Sequence, residues 1–294
     1  MRILVTGGTG FIGPRIVHAL RAQNDEVRVL VRRPERATRI SGLGAETVAG
    51  DMTDPASLEA ALDGVSHVVH LVAILQGRPA DFERIMIQGT RNLIAASKQA
   101  GIERLTLMSA IGAGDPANDV VPYYRAKTAQ ENDLVASGLE YTIFRPGFVF
   151  GPGGALPLFI TQVKVTPLVP VIGSGLQRSQ PMWVDDVAEY FARSLGMPEA
   201  ANRVFELGGP DTVSWNELYL TIAKVLGKRR RLLHIPFAVA RGGALLTQRL
   251  PGAPLTTDQV RMLQLDDIVV TNSDAVEAFQ LPLVPLEEQI RRVA

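Results

Sequence analysis

Short apolar runs alternate with helically spaced apolar residues through the first half of the chain. Such runs are typical of buried strands, whereas apolar residues three and four apart are typical of helices. The runs predict strands at Ile3–Thr6, Val27–Val31, Glu46–Ala49, His67–Leu71, Arg104–Met108 and Tyr141–Phe144. The helical spacing predicts helices at Ile12–Arg21, Ala56–Leu62, Asp81–Gln99 and Tyr123–Ala136. This alternation predicts an α/β fold with a doubly wound parallel sheet and right-handed crossovers.

The pattern changes after Pro146. Residues 146–182 are rich in glycine and proline, which predicts long loops on the open side of the sheet. Helices are predicted again at Val184–Leu195 and Trp215–Leu226, with a strand at Arg203–Leu207 between them. We therefore expect one domain over residues 1–150 and a smaller C-terminal lobe over 151–294, whose strand near 203–207 returns to the core.

Composition narrows the class of protein. The 30 basic and 30 acidic residues cancel, so no overall field favours nucleic acid as a partner. The absence of cysteine excludes disulfides and fits a reducing compartment. A strand at the first residues leaves no room for a signal peptide, and the apolar stretch from Leu232 to Leu246 is shorter than the roughly 18 residues of a spanning helix. We expect a cytoplasmic protein without a transmembrane segment.

Three glycines, Gly7, Gly10 and Gly13, stand three apart between the first strand and the first helix. Glycines there let backbone N–H groups approach a pyrophosphate, and the helix N-terminus adds partial positive charge. We expect a dinucleotide to be held here, so residues 1–150 would form an NAD(P)-binding Rossmann domain. A glycine-rich turn without a ligand is the alternative. The expected cofactor-binding residues of the loop are Gly7, Thr9, Gly10, Phe11, Ile12 and Gly13.

At this point the chain resembles a known family. Its matching segments are Thr6–Gly13, Gly50–Asp54, His70–Ala73, Arg145–Gly153 and Val184–Ala188. They resemble the extended and atypical short-chain dehydrogenase/reductase superfamily, whose members are often called NAD-dependent epimerases or dehydratases. The resemblance implies that residues 151–294 carry the substrate-side lobe. It also implies further cofactor-binding residues, with the first of them beside the adenine: Asp51, Met52, Leu71, Val72 and Ala73.

Within the superfamily, Met108–Ala113, Tyr123–Lys127 and Leu255–Val260 most resemble the group of the nucleotide-binding accessory subunit of respiratory complex I. That resemblance implies a second function, a non-catalytic NADP(H)-binding accessory or sensor protein. Its partner would be a respiratory or quinone-synthesising complex. A homo-oligomer is also left open.

The cofactor type depends on the end of the second strand. In sites that prefer NAD, an acidic residue roughly 20 residues after the glycines binds the adenosine ribose. This chain has Arg32 and Arg33 there. A guanidinium can hold a 2′-phosphate through charge-assisted hydrogen bonds, whereas a carboxylate would repel it. The pair favours NADP(H), with NAD as the alternative; the two arginines could instead be exposed loop charges without a ligand.

Tyr123 and Lys127 lie four residues apart in a helix that Pro122 opens, which places both side chains on one face. A pair with this spacing arises by chance in roughly one such sequence in ten, so its position after the fifth strand matters more. The resemblance implies that Tyr123 exchanges a proton and that Lys127 supports it and bonds the nicotinamide ribose. An ammonium near the phenol is expected to lower the pKa of Tyr123.

Two positions depart from the family pattern. The family has a serine or threonine thirteen residues before the tyrosine, where this chain has Ala110. Ser109 is adjacent, but successive strand side chains face opposite sides, so it does not simply replace that hydroxyl. Met86 stands where extended members usually carry asparagine. We expect an incomplete triad, and hence an oxidoreductase of weak or specialised activity or the non-catalytic alternative.

Other polar residues receive smaller roles. His67 and His70 should face opposite sides of a strand, so no metal site is expected. The basic run Lys228–Arg231 is expected to be a solvated loop rather than a nucleic-acid site. Arg178 follows a glycine-rich loop and resembles the arginine with which sugar-nucleotide epimerases bind a diphosphate. It is a candidate for binding a small-molecule substrate, with a plain surface arginine as the alternative; the substrate itself is left open.

Overall fold

The structure of the chain is a computed structural model that describes residues 1–247, 256–265 and 267–294. Leu255, the first residue of one predicted motif, lies outside the described residues. The strands are β1 Arg2–Thr6, β2 Glu26–Val31, β3 Glu46–Ala49, β4 His67–His70, β5 Arg104–Met108, β6 Glu140–Pro146, β7 Val149–Phe150, β8 Leu168–Ile172, β9 Arg178–Ser179, β10 Met182–Trp183, β11 Arg203–Leu207, β12 Val213–Ser214 and β13 Arg231–Ile235.

The α-helices follow the same numbering along the chain. They are α1 Gly13–Ala22, α2 Thr38–Ser41, α3 Pro55–Leu62, α4 Pro79–Phe82, α5 Gly89–Gln99, α6 Pro122–Ala136, α7 Leu156–Val165, α8 Val184–Ser194, α9 Trp215–Val225, α10 Phe237–Thr247, α11 Thr257–Met262, α12 Asp274–Phe279 and α13 Leu286–Arg291. A π-helical turn, Glu83–Gln88, joins α4 to α5. Short 3-10 turns lie at Pro34–Arg36, Pro116–Val120 and Pro198–Ala200.

The chain divides into two compact units. Unit 1 comprises Met1–Pro146, Val184–Leu207 and Asn272–Leu281. Unit 2 comprises Gly147–Trp183, Gly208–Thr271 and Pro282–Ala294. The chain therefore enters each unit more than once, because α8, β11 and α12 all belong to the first. The expectation that residues 151–294 act as a substrate-side lobe stays a prediction.

Unit 1 is built on a seven-stranded sheet with the order β11-β6-β5-β4-β1-β2-β3. All neighbouring strands in it are parallel. The strand order reverses between β1 and β4, and ligands of such folds bind outside the carboxyl ends of the strands at that point. The predicted doubly wound α/β fold is confirmed.

The core of unit 1 follows from the sequence pattern of its strands. All residues of β4 and β5 are buried, as expected for central strands of a sheet covered on both faces. Leu58 of α3 and Leu93 of α5 pack with Val68 and Leu105 on one face of the sheet. Helix α1 packs against α8. The sheet thereby places the carboxyl ends of β1 and β4 next to the start of α1.

A helix and a strand of unit 2 lie where the sequence predicts loops, so this prediction is wrong. The glycine and proline content predicts long loops over residues 146–182, but Leu156–Val165 is helix α7 and Leu168–Ile172 is strand β8. Pro157 lies in the first turn of α7, where proline is tolerated because its missing N–H has no partner to lose. A proline that suggests a loop therefore begins a helix.

The core of unit 2 joins α7, α9 and α13 to the parallel pair of strands β8 and β13. Trp215 at the start of α9 lies edge-on to Phe148 and Phe159, with ring centroids 5.1 and 5.7 Å away. Ser214 caps α9 by accepting a hydrogen bond from the Glu217 N–H. No helix in the described parts of the chain is long and apolar enough to cross a membrane.

Candidate functional site

The glycine loop lies at the carboxyl end of β1, at the point where the sheet reverses its order. Gly7 has φ +75°, and a Cβ there would lie 2.9 Å from backbone atoms of Leu71 and Val72 after β4. The Gly10 N–H donates to the Gly7 carbonyl at 3.1 Å, which closes the turn. Thr9 and Gly10 are exposed at its tip. The loop therefore presents backbone rather than side chains at the start of α1.

Gly13 fixes how closely α1 approaches the loop. A Cβ at Gly13 would lie 2.4 Å from the Gly8 carbonyl oxygen, a distance that no real side chain tolerates. A Cβ at Gly10, in contrast, would meet only the Gly7 oxygen, at 3.3 Å. Gly13 is needed for packing, whereas Gly10 leaves space open toward solvent. This arrangement suits a pyrophosphate, which requires close access to backbone N–H groups at a helix N-terminus.

The predicted adenosine end of the site combines two charges of opposite sign. Arg32 and Arg33 are exposed directly after β2. The Asp51 carboxylate accepts hydrogen bonds from the Thr53 N–H and hydroxyl at 2.8 and 2.7 Å. Partial burial alone would raise the pKa of Asp51, but the Thr53 hydrogen bonds and the positive charge of Arg32 lower it. Asp51 is therefore ionised at neutral pH and lies near Arg32.

The other predicted cofactor residues differ in exposure. Leu71 and Val72 are half-buried and Ala73 is exposed after β4, and the Leu71 N–H donates to the Thr6 carbonyl at 3.0 Å. Met52 has a side chain that is 5% exposed and belongs to the hydrophobic core. Only the backbone of Met52 is thus available to a ligand. Phe11 and Ile12 are half-buried at the start of α1.

Tyr123 lies in the first turn of α6, where Pro122 occupies the first helical position. Its ring is half-buried and stands edge-on to Tyr124 at 5.3 Å. Burial, together with Tyr124, raises the pKa of Tyr123 above its ordinary value. The expectation that Lys127 lowers this pKa is therefore wrong: burial is the largest effect on the phenol, and the Lys127 Nζ lies 6.0 Å from the ring centre. The phenol stays protonated at neutral pH.

Lys127 has an almost fully buried side chain, which is uncommon for a lysine. Its side chain is 1% exposed, and its Nζ donates to the Met108 carbonyl at 2.6 Å. Burial lowers the pKa of Lys127 to about 7, although the carboxylate of Glu131 acts in the opposite direction. That carboxylate is itself held by Arg145, with Nε–Oε1 at 2.9 Å and Nη2–Oε2 at 2.5 Å. Lys127 is thus buried with less compensation than its charge requires, which is typical of functional sites.

Ala110 and Ser109 directly follow β5 and differ in exposure. Ala110 is half-exposed after β5, whereas Ser109 is 2% exposed. The Ser109 hydroxyl oxygen is buried and has no hydrogen-bond partner within the described ranges. The position from which the family's hydroxyl would act is therefore a methyl group in this chain.

A buried polar network surrounds His70, and two of its members, Thr90 and Gln130, belong to no motif that the sequence suggests. His70 Nδ1 lies 2.6 Å from the Thr6 hydroxyl, and its Nε2 lies 2.9 Å from the Thr90 hydroxyl. Gln130 donates to that same hydroxyl at 2.7 Å. Burial and the positive charge of Lys127 lower the pKa of His70 to about 3. His70 is therefore a neutral imidazole at the end of β4.

The network ends on the π-helical turn. The Thr90 hydroxyl and the Gln130 amide both donate to the Met86 carbonyl, at 2.5 and 3.3 Å. Because Thr90 uses its one hydrogen for Met86, the hydrogen between it and His70 must come from Nε2. The Met86 side chain is fully buried, and its sulfur accepts from the Ile74 N–H at 3.5 Å. Met86 therefore puts an apolar side chain where extended family members usually carry the polar side chain of asparagine.

Two further predictions concern Arg178, in unit 2, and the histidines His67 and His70 of β4. The Arg178 guanidinium pairs with Asp267, with Nε–Oδ2 at 2.8 Å and Nη2–Oδ2 at 2.7 Å. A substrate anion would compete with that carboxylate, so its predicted role stays a prediction. His67 and His70 share no ligand set, and the described residues contain no cluster that could hold a metal ion.

Comparison with known proteins agrees with this geometry. A protein family described as NAD(P)H-binding matches residues 7–166. Photosystem II assembly factor Ycf39 of Cyanophora paradoxa is 32% identical over 245 residues, covering 81% of this chain and 73% of that protein. Ceramide reductase of Caulobacter vibrioides is 30% identical over 252 residues, covering 83% and 77%. The solved structure of Citrobacter sp. triphenylmethane reductase with NADP(H) superposes with a TM-score of 0.82 at 19% identity, covering 100% of both chains.

The sheet order and the glycine loop define a Rossmann-type fold with a loop suited to a dinucleotide. The chain belongs to the NAD(P)H-binding family. The structural neighbour establishes the fold alone at its level of identity. The resemblance to the complex I accessory subunit stays a prediction.

Proposed function

We propose that this chain is an NADPH-dependent reductase in which Tyr123 delivers a proton to the oxygen of an apolar carbonyl compound or quinone. The observation that carries the proposal is the pairing of a protonated Tyr123 with a buried Lys127 on one face of α6. A general acid must hold its proton at the operating pH, and burial ensures this for the phenol. In this proposal Lys127 bonds the cofactor ribose and orients the phenol.

In this proposal the dinucleotide is held by residues that follow β1, β2 and β4. When bound, NADPH supplies the hydride. The loop from Gly7 to Gly13 receives the pyrophosphate, with Thr9 and Gly10 at its exposed tip. Arg32 and Arg33 receive the 2′-phosphate, and Asp51 lies by the adenine. The exposure of both arginines and the short side chains of the loop support this assignment.

The side chains of unit 1 that pack with Tyr123 are largely apolar. Ile74 and Tyr123 pack against the same cluster of Phe82, Met86 and Ala126. Leu75, next to Ile74, is 57% exposed, and Val120, three residues before Tyr123, is 63% exposed. An apolar cluster around Tyr123, with exposed apolar residues next to its members in the sequence, supports a substrate with an apolar body. The pairing of Arg178 with Asp267 adds no support for a diphosphate substrate.

A second function is favoured by Ala110. Without a hydroxyl at that position, the chain could bind NADP(H) tightly and turn over little, as an accessory or sensor protein. One relative is named as an assembly factor and another as a reductase, so both functions have precedent among its relatives. Both proposed functions place the protein in the cytoplasm. Both also allow a respiratory or quinone-synthesising complex as its partner.

The test is NADPH oxidation by purified protein with a long-chain aldehyde, a prenylated quinone and a keto sugar nucleotide. We expect slow turnover of the first two, and a Tyr123→Phe variant should lose it by about 10²–10⁴-fold. Tyr124→Phe is the matched control, because Tyr124 is buried next to Tyr123 and should retain the rate. Equal rates in Tyr123→Phe and wild type would refute the acid role. Tight NADPH binding without turnover of any compound would favour the second function.

A further inference from the structure

Unit 2 exposes an apolar surface in the most basic part of the chain. Between Glu217 and Asp258 every charged residue is positive, although the chain as a whole is neutral. The basic residues in this stretch are Lys224, Lys228, Arg229, Arg230, Arg231, Arg241 and Arg249. Lys224 pairs with Glu287 at 2.6 Å, whereas Lys228, Arg229, Arg231 and Arg241 are exposed to solvent. These exposed cations create a local positive field that the net charge does not reveal.

The first part of the surface is one face of the two-stranded sheet of β8 and β13. Arg231 pairs with Leu168 and Leu233 pairs with Pro170, so these four side chains share a face. Leu168 and Leu233 are each 49% exposed on it. The opposite face carries Val169 and Val171 and is buried in the core of unit 2 with α9. The exposed face is therefore apolar, with an arginine at its start.

The second part is helix α10, which follows β13 after Pro236. Ala244 is buried, while Val239, Leu245 and Leu246 are 63%, 61% and 82% exposed. Arg241 is the sole charged residue among Phe237–Thr247. A Cβ on Gly173 would lie only 2.4 Å from the Phe237 ring, so the ring packs against Gly173 and the helix starts beside the end of β8. Exposed leucines on a helix are costly in water unless something covers them.

The third part is the end of α7, which Arg230 joins to β13. The Arg230 guanidinium donates to the Val163 and Lys164 carbonyls at 2.7 and 3.1 Å. The next residue, Val165, is 70% exposed. The Arg230 guanidinium therefore lies one residue from exposed Val165 at this edge. We call the exposed side chains of Val165, Leu168, Arg231, Leu233 and α10 the basic apolar surface.

We propose that the basic apolar surface docks on the face of a lipid bilayer that contains anionic lipids. Apolar side chains from a helix and a sheet edge enter the interface, and the neighbouring cations meet the lipid phosphates. A second copy of the chain fits less well, because a two-fold contact would bring the same positive patches together. The single sign of charge over this stretch matches an anionic plane. Docking on a bilayer would bring the protein close to apolar compounds dissolved in the membrane. The docking proposal does not depend on the proposed reductase activity.

The test is co-sedimentation of the full chain with vesicles of phosphatidylcholine alone or of phosphatidylcholine with phosphatidylglycerol. We expect binding to the mixed vesicles only, with release at high salt. The double variant Leu245→Ser/Leu246→Ser should weaken binding at least tenfold. Arg231→Gln/Arg241→Gln, which removes two exposed cations of this surface, should weaken it about 25-fold, since each basic residue near an anionic surface contributes about fivefold. The matched control is Leu220→Ser, because Leu220 is 47% exposed on α9.

Three results would overturn the proposal. They are the absence of binding to mixed vesicles, equal binding to both kinds of vesicle, and an equal loss in Leu220→Ser. A stable dimer in light scattering that Leu245→Ser/Leu246→Ser dissociates would assign the surface to a second copy instead. Thermal unfolding of each variant within a few degrees of wild type shows that the loss concerns the surface and not the fold. If the leucine variant fails to fold, vesicle binding of the charge variant still tests the proposal.

Discussion

The glycine loop and the region around Tyr123 and Lys127, both in unit 1, are determined by different physical effects. The glycine loop before α1 is defined by backbone sterics, since a Cβ at Gly13 would lie 2.4 Å from the Gly8 oxygen. The region around Tyr123 and Lys127 is defined by buried ionisable groups whose partners come from β4, β5 and the π-helical turn. The loop keeps the family pattern at every glycine, whereas the second region departs from it at Met86 and Ala110. Binding of a dinucleotide and chemistry on a substrate can therefore change independently.

The largest effect should come from the loop. Gly13→Val would push a side chain into the Gly8 backbone, so NADPH binding should be lost, and the free energy of unfolding should fall by about 1–3 kcal/mol. Calorimetric titration and urea unfolding measure the two effects. Gly196→Ala is the control, because a Cβ there meets nothing within 4 Å. Retained affinity in Gly13→Val would show that the loop is not the pyrophosphate site.

The second region should respond in the opposite way, with loss of rate and gain of stability. Lys127→Met should lower turnover by about 10²–10³-fold. At pH 7 it should also raise the free energy of unfolding by about 1–3 kcal/mol, because a buried cation is replaced by an apolar side chain. Lys98→Met, on exposed Lys98, should change stability by less than about 0.5 kcal/mol.

The pH dependence of that gain follows from the pKa of Lys127, about 7 in the fold against 10.5 in the unfolded chain. Below pH 7 both states carry the proton, so the burial penalty on wild type is complete. Between pH 7 and 10.5 the unfolded chain binds more protons, so wild-type stability rises with pH. The advantage of Lys127→Met should therefore shrink from pH 7 to pH 10. A constant advantage would contradict a buried, titrating lysine.

A smaller effect is expected at the adenosine end. Arg32→Asp should reverse a roughly tenfold preference for NADPH over NADH, because a carboxylate repels the 2′-phosphate that a guanidinium binds. Titration with both dinucleotides measures the ratio, and Arg39→Asp serves as a control on another exposed arginine of unit 1. Equal affinities in wild type would mean that Arg32 is an exposed loop charge without a ligand.

The smallest effect concerns the buried polar network around His70. His70→Gln should lower the free energy of unfolding at pH 7 by about 1 kcal/mol through lost hydrogen bonds. The pKa of His70 is about 3 in the fold and 6.5 in the unfolded chain, so below pH 6.5 the unfolded chain takes up a proton and wild-type stability falls. The advantage of wild type should therefore shrink below pH 6.5 and change sign toward pH 4, where the variant becomes the more stable chain. A wild-type advantage that persists or grows on acidification, or a pH dependence that exposed His18→Gln reproduces, would contradict a neutral His70.

The sequence predicts the first region better than the second because the first depends on local geometry. Strand periodicity and three glycines suffice to predict β1, α1 and the turn between them. The network of Thr6, His70, Thr90 and Gln130 joins residues that are far apart along the chain, so no local pattern reveals it. The direction of the Tyr123 pKa depends on burial, which spacing cannot supply. In unit 2, Pro157 reads as a loop signal but lies in the first turn of a helix.

The central claim is that this chain retains its dinucleotide site while Ala110 limits its chemistry. The most direct measurement compares Ala110→Ser with wild type for NADPH affinity and for turnover of one reducible carbonyl compound. We predict unchanged affinity and a turnover that rises toward 10²-fold, since one preorganised donor at a developing negative charge contributes about 10²–10³ in rate. Tyr123→Phe should abolish the gain. A wild-type enzyme that turns over briskly and is slowed by Ala110→Ser would contradict the account.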